Sequence, residues 1–282
     1  MPEIAEIHLN TDLILRPFLK GSKVLSNISI LSGKYHSKKP TNFDSFVSDL
    51  PSKVKTIGNR GKFTYLILEN GWSVGIGLGM TGRFVTSESD NDHLRLELEN
   101  SDDEKIWYQD SRNFGNWYFW KGDGVGGNND LDKKLKQLGV DLIDDDKVTK
   151  SKIVTAFRKY DHHDISKVLM DQKVLAGIGN YMRAEVLYEE KVYPWAKVEK
   201  LSDDTLYKIY REGVKLAKLS YKSQKDDFLS GVPYESFKSK MSVYSKTHDP
   251  HGNKITQTKN KTADRTTHWV PSIQVIGKSV EK

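Results

Sequence analysis

The chain has 282 residues, 44 of them Lys or Arg against 38 Asp or Glu, for a formal net charge of +6 and a sequence pI near 9.1; this length supports one large domain or two ordinary ones with real cores. It contains no cysteine, which excludes disulfides, thiol chemistry and any zinc or iron–sulfur centre held by cysteine. No window approaches eighteen apolar residues, and acidic side chains stand in MPEIAEIHLN where a signal peptide would carry basic ones, so a soluble intracellular protein is expected.

The charge is not evenly spread. Nine basic residues face three acidic ones between Lys238 and Lys282, and residues 1–237 are neutral. A local basic region is a footprint for a polyanion, nucleic acid first; a solubilising tail has the same composition.

In chain order, Pro2–Arg16 reads as a helix, with Ile4, Ile7, Thr11, Ile14 and Phe18 at three- and four-residue steps and Glu3 and Glu6 near its favourable end. Pro17 is expected to limit it. Strand-like runs follow at Val24–Leu31, Phe63–Leu68, Trp72–Leu78, His93–Leu98, Ile106–Gln109 and Trp117–Trp120, and Glu69-Asn70-Gly71 signals a hairpin. A short helix and about six strands suggest an antiparallel sandwich or barrel. Gly122–Asp132 is glycine-rich and polar, a linker candidate. Beyond it the period is helical: Leu131–Leu138, Lys150–Tyr160, Asp164–Met170, Asn180–Glu190, Ser202–Tyr221 capped by Ser202, and Pro233–Met241. HDPHGNK is a turn, and Ile255–Thr258 with Thr266–Val270 reads as a small basic hairpin. The fold class is therefore α+β and multidomain, with residues 1–121 as helix and β-sandwich, 122–132 as linker, 133–242 helical, and 243–282 as hairpin and basic tail.

Several local patterns carry little. Gly75–Gly79 resembles a nucleotide loop without its following helix, and Gly61-Lys62 lacks the rest of a phosphate loop. His248, His251 and His268 lack an evident fourth metal ligand, so solvated histidines are the better reading. In Asp171–Tyr188, two glycines around Ile178 suit a tight reversal, and Asn180 stands where a helix N-cap belongs. Such a helix start offers free N–H groups to a phosphate, although an ordinary corner has the same residues. Pro2 would present a secondary amine once Met1 is removed. An α-amino group titrates at about 7.7–8.0, so part of it is unprotonated and can attack an aldehyde-equivalent carbon, with Glu3 beside it to move protons. Pro and Glu also suit any first helical turn.

Met-Pro-Glu with Glu6, Arg60-Gly61-Lys62, Gly79-Met80-Thr81-Gly82, Asp110–Gly115 and LAGIGNYMRAEVLY occur in that order. Together, from Pro2 to about Pro271, they resemble the formamidopyrimidine/endonuclease VIII family of DNA base-excision glycosylases. The resemblance implies a helix–two-turn–helix element across 164–190 and a C-terminal finger; with no cysteine for zinc, it is similar to the zincless-finger, endonuclease VIII-like branch. It further implies a bifunctional glycosylase and abasic-site lyase for oxidised bases, pyrimidines favoured. Pro2 would be the nucleophile, Glu3 the proton carrier, Glu6 its hydrogen-bonding support, and Lys62 a reach towards site and phosphate. Met80, Arg112 and Phe114 would fill and wedge the opened duplex, although Phe114 could also be plain core. Asn180 and Arg265 would grip phosphates, with Lys254, Lys259 and Lys261 adding nonspecific attraction. The implied partner is damaged DNA, duplex or single-stranded, wherever DNA lies in the cell. No cofactor, metal or membrane is implied, and a monomer is expected. The family's usual Gly-Pro is Ile4-Ala5 here, its second arginine is Asn113, and Ser223–Ser230 falls where members carry a damage-recognition loop. A non-catalytic DNA-binding protein with the same fold and clamp is the alternative.

Overall fold

A proline near the end of an amphipathic helix sets the form of the N-terminal element. In this computed structural model, α1 (Ile4–Asn10) runs into a π-helical turn (Thr11–Leu15) and a last turn, α2 (Arg16–Phe18). Pro17 was expected to limit the helix, and it lies inside the final turn. Its ring crowds the carbonyl four residues back and its nitrogen cannot donate. The widened turn, where the Arg16 N–H bonds the Thr11 carbonyl, accommodates both problems. All seven residues of α1 are buried, so its polar side chains must find partners. Asn10 Oδ1 accepts the Phe84 N–H at 2.7 Å. Asn59 Oδ1 accepts the hydroxyls of Thr11 (2.8 Å) and Thr64 (2.9 Å).

The structure describes residues 2–88, 92–122, 129–145, 147–229, 235–259 and 265–275, and the chain divides into two units, Met1–Gln137 and Leu138–Lys282. In the first, β1 (Val24–Ile30) is followed by α3 (Lys34–Ser37) and α4 (Phe43–Ser48). Then come β2 (Ser52–Arg60), β3 (Phe63–Leu68), β4 (Trp72–Gly77), β5 (Arg83–Val85), β6 (Leu94–Asn100), β7 (Lys105–Gln109) and β8 (Asn116–Lys121). The order is β5-β7-β6-β1-β2-β3-β4-β8, antiparallel throughout. β1 and β2 pair at only two positions, and the two halves of the sheet share one core that includes Leu25, Leu96, Tyr108, Trp72, Trp117 and Phe119. All six expected strands form, and Glu69-Asn70-Gly71 closes the β3–β4 hairpin with Gly71 at φ 82. β2 and β5 were not foreseen. β2 is polar, with Lys53, Lys55 and Thr56 exposed, and is held by neighbours on both sides rather than by its own apolar pattern. β5 has three residues. α5 (Asp130–Lys136) closes the unit, its N-cap Asn129 accepting the Asp132 N–H at 2.9 Å; residues 123–128 of the expected linker lie outside the described ones.

In the second unit, β9 (Val140–Asp141) pairs in parallel with β10 (Leu175–Ala176). The helices are α6 (Lys150–Arg158), α7 (Ile165–Met170), α8 (Asn180–Glu189), α9 (Asp203–Leu229) and α10 (Glu235–Lys240). The Ser202 hydroxyl accepts the Thr205 N–H at 3.1 Å, the cap expected for α9. α9 runs past Tyr221, so the stretch from Ser223, expected to hold a recognition loop, is helix as far as Leu229. The run Lys222–Asp227 lacks Gly and Pro, and Gln224 is buried against the Ser220 hydroxyl, which favours continuing the helix. β11 (Thr256–Lys259) and β12 (Thr266–Trp269) form the C-terminal hairpin, Thr256 opposite Trp269. No described helix is long and apolar enough to cross a membrane.

Candidate functional site

Pro2 is buried immediately before the start of α1. Glu3 is the N-cap. Its side chain accepts the Glu6 backbone N–H, and its own N–H donates to Glu6 Oε2 at 2.7 Å. This reciprocal pair satisfies helix-start donors that would otherwise have no partner. It also fixes two carboxylates, on residues 1% and 2% exposed, at the helix start that follows Pro2. Ile4 and Ala5, the residues that depart from the family pattern, are both buried and helical, so the helix start forms with them in place.

Lys62 lies at the tip of the β2–β3 hairpin, after Gly61 at φ 57, which glycine adopts at little cost. Asn59 and Thr64, the pair just below the tip, are the residues bonded to Thr11. The hairpin that carries Lys62 is thereby tied to the N-terminal helix.

Two loops converge beyond β4 and β7. Gly79 sits at φ 70, and a Cβ there would lie 2.7 Å from the Gly115 nitrogen and the Phe114 carbonyl carbon. The Thr81 hydroxyl donates to Asp110 Oδ1 and accepts the Arg112 N–H at 3.0 Å. Asp110 Oδ2 accepts the Gly115 N–H at 2.7 Å and the Tyr108 hydroxyl at 3.2 Å. Burial, then the neighbouring Asp110 charge, pushes the Tyr108 hydroxyl well above its ordinary pKa, which keeps it protonated as a donor. One buried carboxylate, 1% exposed, therefore latches both loops together. They present Met80 half-exposed, Arg112 exposed and Phe114 52% exposed, with the Arg112 guanidinium 5.0 Å from the Phe114 ring centre. Phe114 is not core. Thr81 and Asp110 were not singled out as functional in the sequence. Their signal was membership of the Gly79–Gly82 and Asp110–Gly115 motifs, with no role attached to either side chain.

In the second unit, Gln172 shapes the α7–α8 turn: its amide donates to the Met170 and Ile178 carbonyls, and its Oε1 accepts the Gly177 N–H at 2.9 Å. Asn180 is the first residue of α8, and Gly179 is the N-cap. The expected cap is displaced because the Asn180 side chain is engaged elsewhere. Its Nδ2 donates to the Thr266 carbonyl at 3.1 Å, and its Oδ1 accepts Arg183 Nη2 at 2.6 Å. Fully buried Arg183 also reaches Thr267 Oγ1 at 3.0 Å. Asn180 is thus bolted to the residue after half-exposed Arg265, which brings the two expected phosphate contacts together. Arg183 gave no sequence signal beyond its place on α8. Further along that helix, Glu185 accepts the N–H groups of Ser242 (2.6 Å), Val243 (2.9 Å) and Tyr244 (2.7 Å). Burial raises its pKa against these hydrogen bonds. Burial, aided by the Arg183 charge, holds His268 below its ordinary value. Among the described residues, His248, His251 and His268 form no metal-ligand cluster. Lys254 and Lys259 lie on or beside the hairpin; Lys261 lies outside the described residues.

Residues 1–117 match the family profile described as the formamidopyrimidine-DNA glycosylase N-terminal domain, and residues 138–227 that of the formamidopyrimidine-DNA glycosylase H2TH domain. A formamidopyrimidine-DNA glycosylase of Streptococcus thermophilus is 30% identical over 235 residues, covering 78% of this chain and 77% of that protein. One of Corynebacterium efficiens is 29% identical over 171 residues, 57% of this chain and 58% of its own length. The solved Lactococcus lactis Fpg (MutM), in complex with an oxidized pyrimidine-containing DNA, shares the fold with a TM-score of 0.80 at 23% identity, over 97% of this chain and 99% of that one. With both of its domains matched in order, the chain belongs to the formamidopyrimidine-DNA glycosylase family, whose members are DNA N-glycosylases with abasic-site lyase activity.

Proposed function

We propose that this chain excises oxidised bases from DNA, pyrimidines favoured, through a Schiff base on Pro2, and then cleaves the strand by β- and δ-elimination. The observation that carries this reading is the Glu3–Glu6 pair, two buried carboxylates locked at the helix start that follows Pro2 in the chain. After Met1 is removed, the Pro2 nitrogen attacks the anomeric carbon and the base leaves, protonated through Glu3. The sugar ring opens, its oxygen takes a proton, and an iminium to Pro2 forms. The iminium acidifies the adjacent carbon. Loss of that proton expels the 3′ phosphate, loss of a second proton along the conjugated chain expels the 5′ phosphate, and water hydrolyses the remaining iminium to free the amine. Glu6 holds Glu3 in place, and Lys62 at its hairpin tip supplies a cation for the site and a neighbouring phosphate.

A stacked base hides its glycosidic bond, so the nucleotide must first leave the helix. Met80, Arg112 and Phe114, held on latched loops, fill the gap; an inserted apolar wedge offsets an unstacking cost of a few kcal/mol. Asn180 and Arg265 hold the backbone, and Lys254 and Lys259 add salt-sensitive attraction. The zincless, endonuclease VIII-like assignment is supported by the absence of cysteine. It is also supported by an apolar cluster of Ala184, Tyr188, Val243, Ile255 and Val270 at the base of the hairpin, which can do the ordering that a metal would do.

Two measurements check this. Processed protein, mixed with a duplex bearing an oxidised pyrimidine and reduced with borohydride, is expected to give a covalent protein–DNA adduct; a retained N-terminal tag is expected to abolish it. DNA binding without any adduct would leave only the non-catalytic reading. A matched duplex with an oxidised purine is expected to react more slowly; equal or faster reaction would end the pyrimidine assignment. Thr81→Val removes the hydroxyl that joins the two loops at constant size. It is expected to slow excision from a fully paired duplex about tenfold while Thr81→Ser stays near wild type, and equal rates for all three proteins would refute the latch.

A further inference from the structure

On the face of the β2–β3–β4–β8 half-sheet turned away from the core, one cross-strand row alternates glycine with aromatic residues. That row reads Gly58, Tyr65, Gly75, Tyr118 across the strands, and the next reads Arg60, Phe63, Gly77, Asn116. A Cβ on Gly75 would lie 2.5 Å from Phe63 Cζ and 2.8 Å from Trp120 Cζ3, so the glycine makes room for rings that lean across it. Tyr118 and Trp120 stack on one another, centroids 5.2 Å apart and planes within 12°, with Phe63 at 6.3 and 6.5 Å. Tyr118 is 38% exposed and Trp120 half-buried. In the core, Phe46–Trp72 at 84° and Phe84–Trp117 at 78° set an edge against a face, whereas Trp117–Phe119 stack at 23°. Tyr118 is thus stacked on Trp120 and still part-exposed.

Cations border this face. Lys134 Nζ lies 5.5 Å from the Phe63 ring centre, and Lys34 Nζ donates to Asn116 Oδ1 at 3.0 Å. Lys121 is engaged with Asp49 and is not counted. The face is also continuous with the loops already described. β8 begins two residues after Phe114, β4 ends three residues before Met80, and the β2–β3 turn carries Lys62.

We propose that the Tyr118–Trp120 face is a second nucleic-acid site, one that stacks unpaired nucleobases of single-stranded DNA next to the wedge loops. The inference rests on the DNA-processing reading above and adds to it a binding surface for strands that lack a partner. An open ring face takes any base, because every base presents a π surface, and bordering lysines follow the backbone. The flat parallel pair and the cationic border favour a nucleobase over an apolar protein segment, which would need a groove.

The test uses the full chain and a fluorescently labelled oligothymidylate. Tyr118→Ala is expected to weaken single-strand binding about 5- to 100-fold with an unchanged salt slope, because stacking releases no counterions; Tyr118→Phe, which keeps the ring, is expected to bind as wild type. Wild-type affinity in Tyr118→Ala, or loss in both variants, would overturn the proposal, the former also being the result if a protein partner occupies the face. Photocrosslinking wild-type protein to a 5-iodouracil oligonucleotide gives a readout that needs no variant: adducts on Tyr118 or Trp120 support the site, and adducts mapping only elsewhere reject it. Borohydride trapping of wild-type protein on duplex decides the enzyme reading separately, so the failure of one is not mistaken for the failure of the other.

Discussion

Glu3→Gln is expected to reduce base excision by about 10²- to 10⁴-fold, the range that general acid–base catalysis contributes, while leaving the fold unchanged. The reasoning starts from the helix start. The Glu3 side chain accepts the Glu6 backbone N–H, and glutamine keeps an oxygen able to accept the same bond. Thermal unfolding is therefore expected to be unaltered, and the loss in single-turnover excision reports on proton transfer alone. Trapping on a preformed abasic site, which has no base to protonate, is expected to fall less. Wild-type excision by Glu3→Gln would remove Glu3 from the reaction; a large drop in melting temperature would instead mean that the carboxylate serves the helix.

The largest stability effect is expected from Glu185→Ala. One side chain accepts three consecutive backbone N–H groups, from Ser242 to Tyr244, in a buried setting. A buried donor left without an acceptor costs about 1–3 kcal/mol, so the variant is expected to lose roughly 3 kcal/mol or more. That corresponds to a fall of about 6–12 °C in the melting of the second unit. A melting temperature within a degree of wild type would mean the segment is held by other contacts. The pH dependence has a definite sign. Burial raises the Glu185 pKa above its ordinary 4.5, so the folded state binds the proton more tightly than the unfolded state. That contribution is complete below the ordinary value and is lost as pH rises through the raised one. Stability measured by urea across this window is expected to shift in favour of Glu185→Gln, relative to wild type, as pH increases.

The sequence made strands legible wherever apolar and aromatic residues alternated, as in Phe63–Leu68 and Trp117–Trp120, and made helices legible wherever a cap preceded a periodic run, as at Ser202. It hid elements whose stability comes from neighbours. β2 is a polar strand with paired strands on both sides, and the π turn accommodates a proline six residues after the turn begins. Asn180 misled for a related reason: a good capping residue is also a good tertiary hydrogen-bonder, and here the hairpin engages it. The roles proposed for Pro2, Glu3, Glu6 and Lys62 could be framed from the chain because their motifs are local. Asp110, Thr81 and Gln172 could not, because what they do is visible only when two loops, or two ends of one turn, come within hydrogen-bond distance.

The joint between α8 and the C-terminal hairpin has a thermodynamic consequence. Asn180 and Arg183 both engage the Thr266 backbone, so the first turn of the helix and the strand after Arg265 are already immobilised in the free protein. The conformational entropy of bringing these two surfaces together is surrendered during folding, not during association. In the proposed clamp, a phosphate arriving there would meet donors in fixed directions and have little left to order, which favours a slow off-rate over a fast on-rate as the source of affinity. Within that proposal, loosening the joint at Arg183, which bonds Thr266 and Thr267, is expected to weaken capture of DNA while leaving Asn180 and Arg265 in the chain.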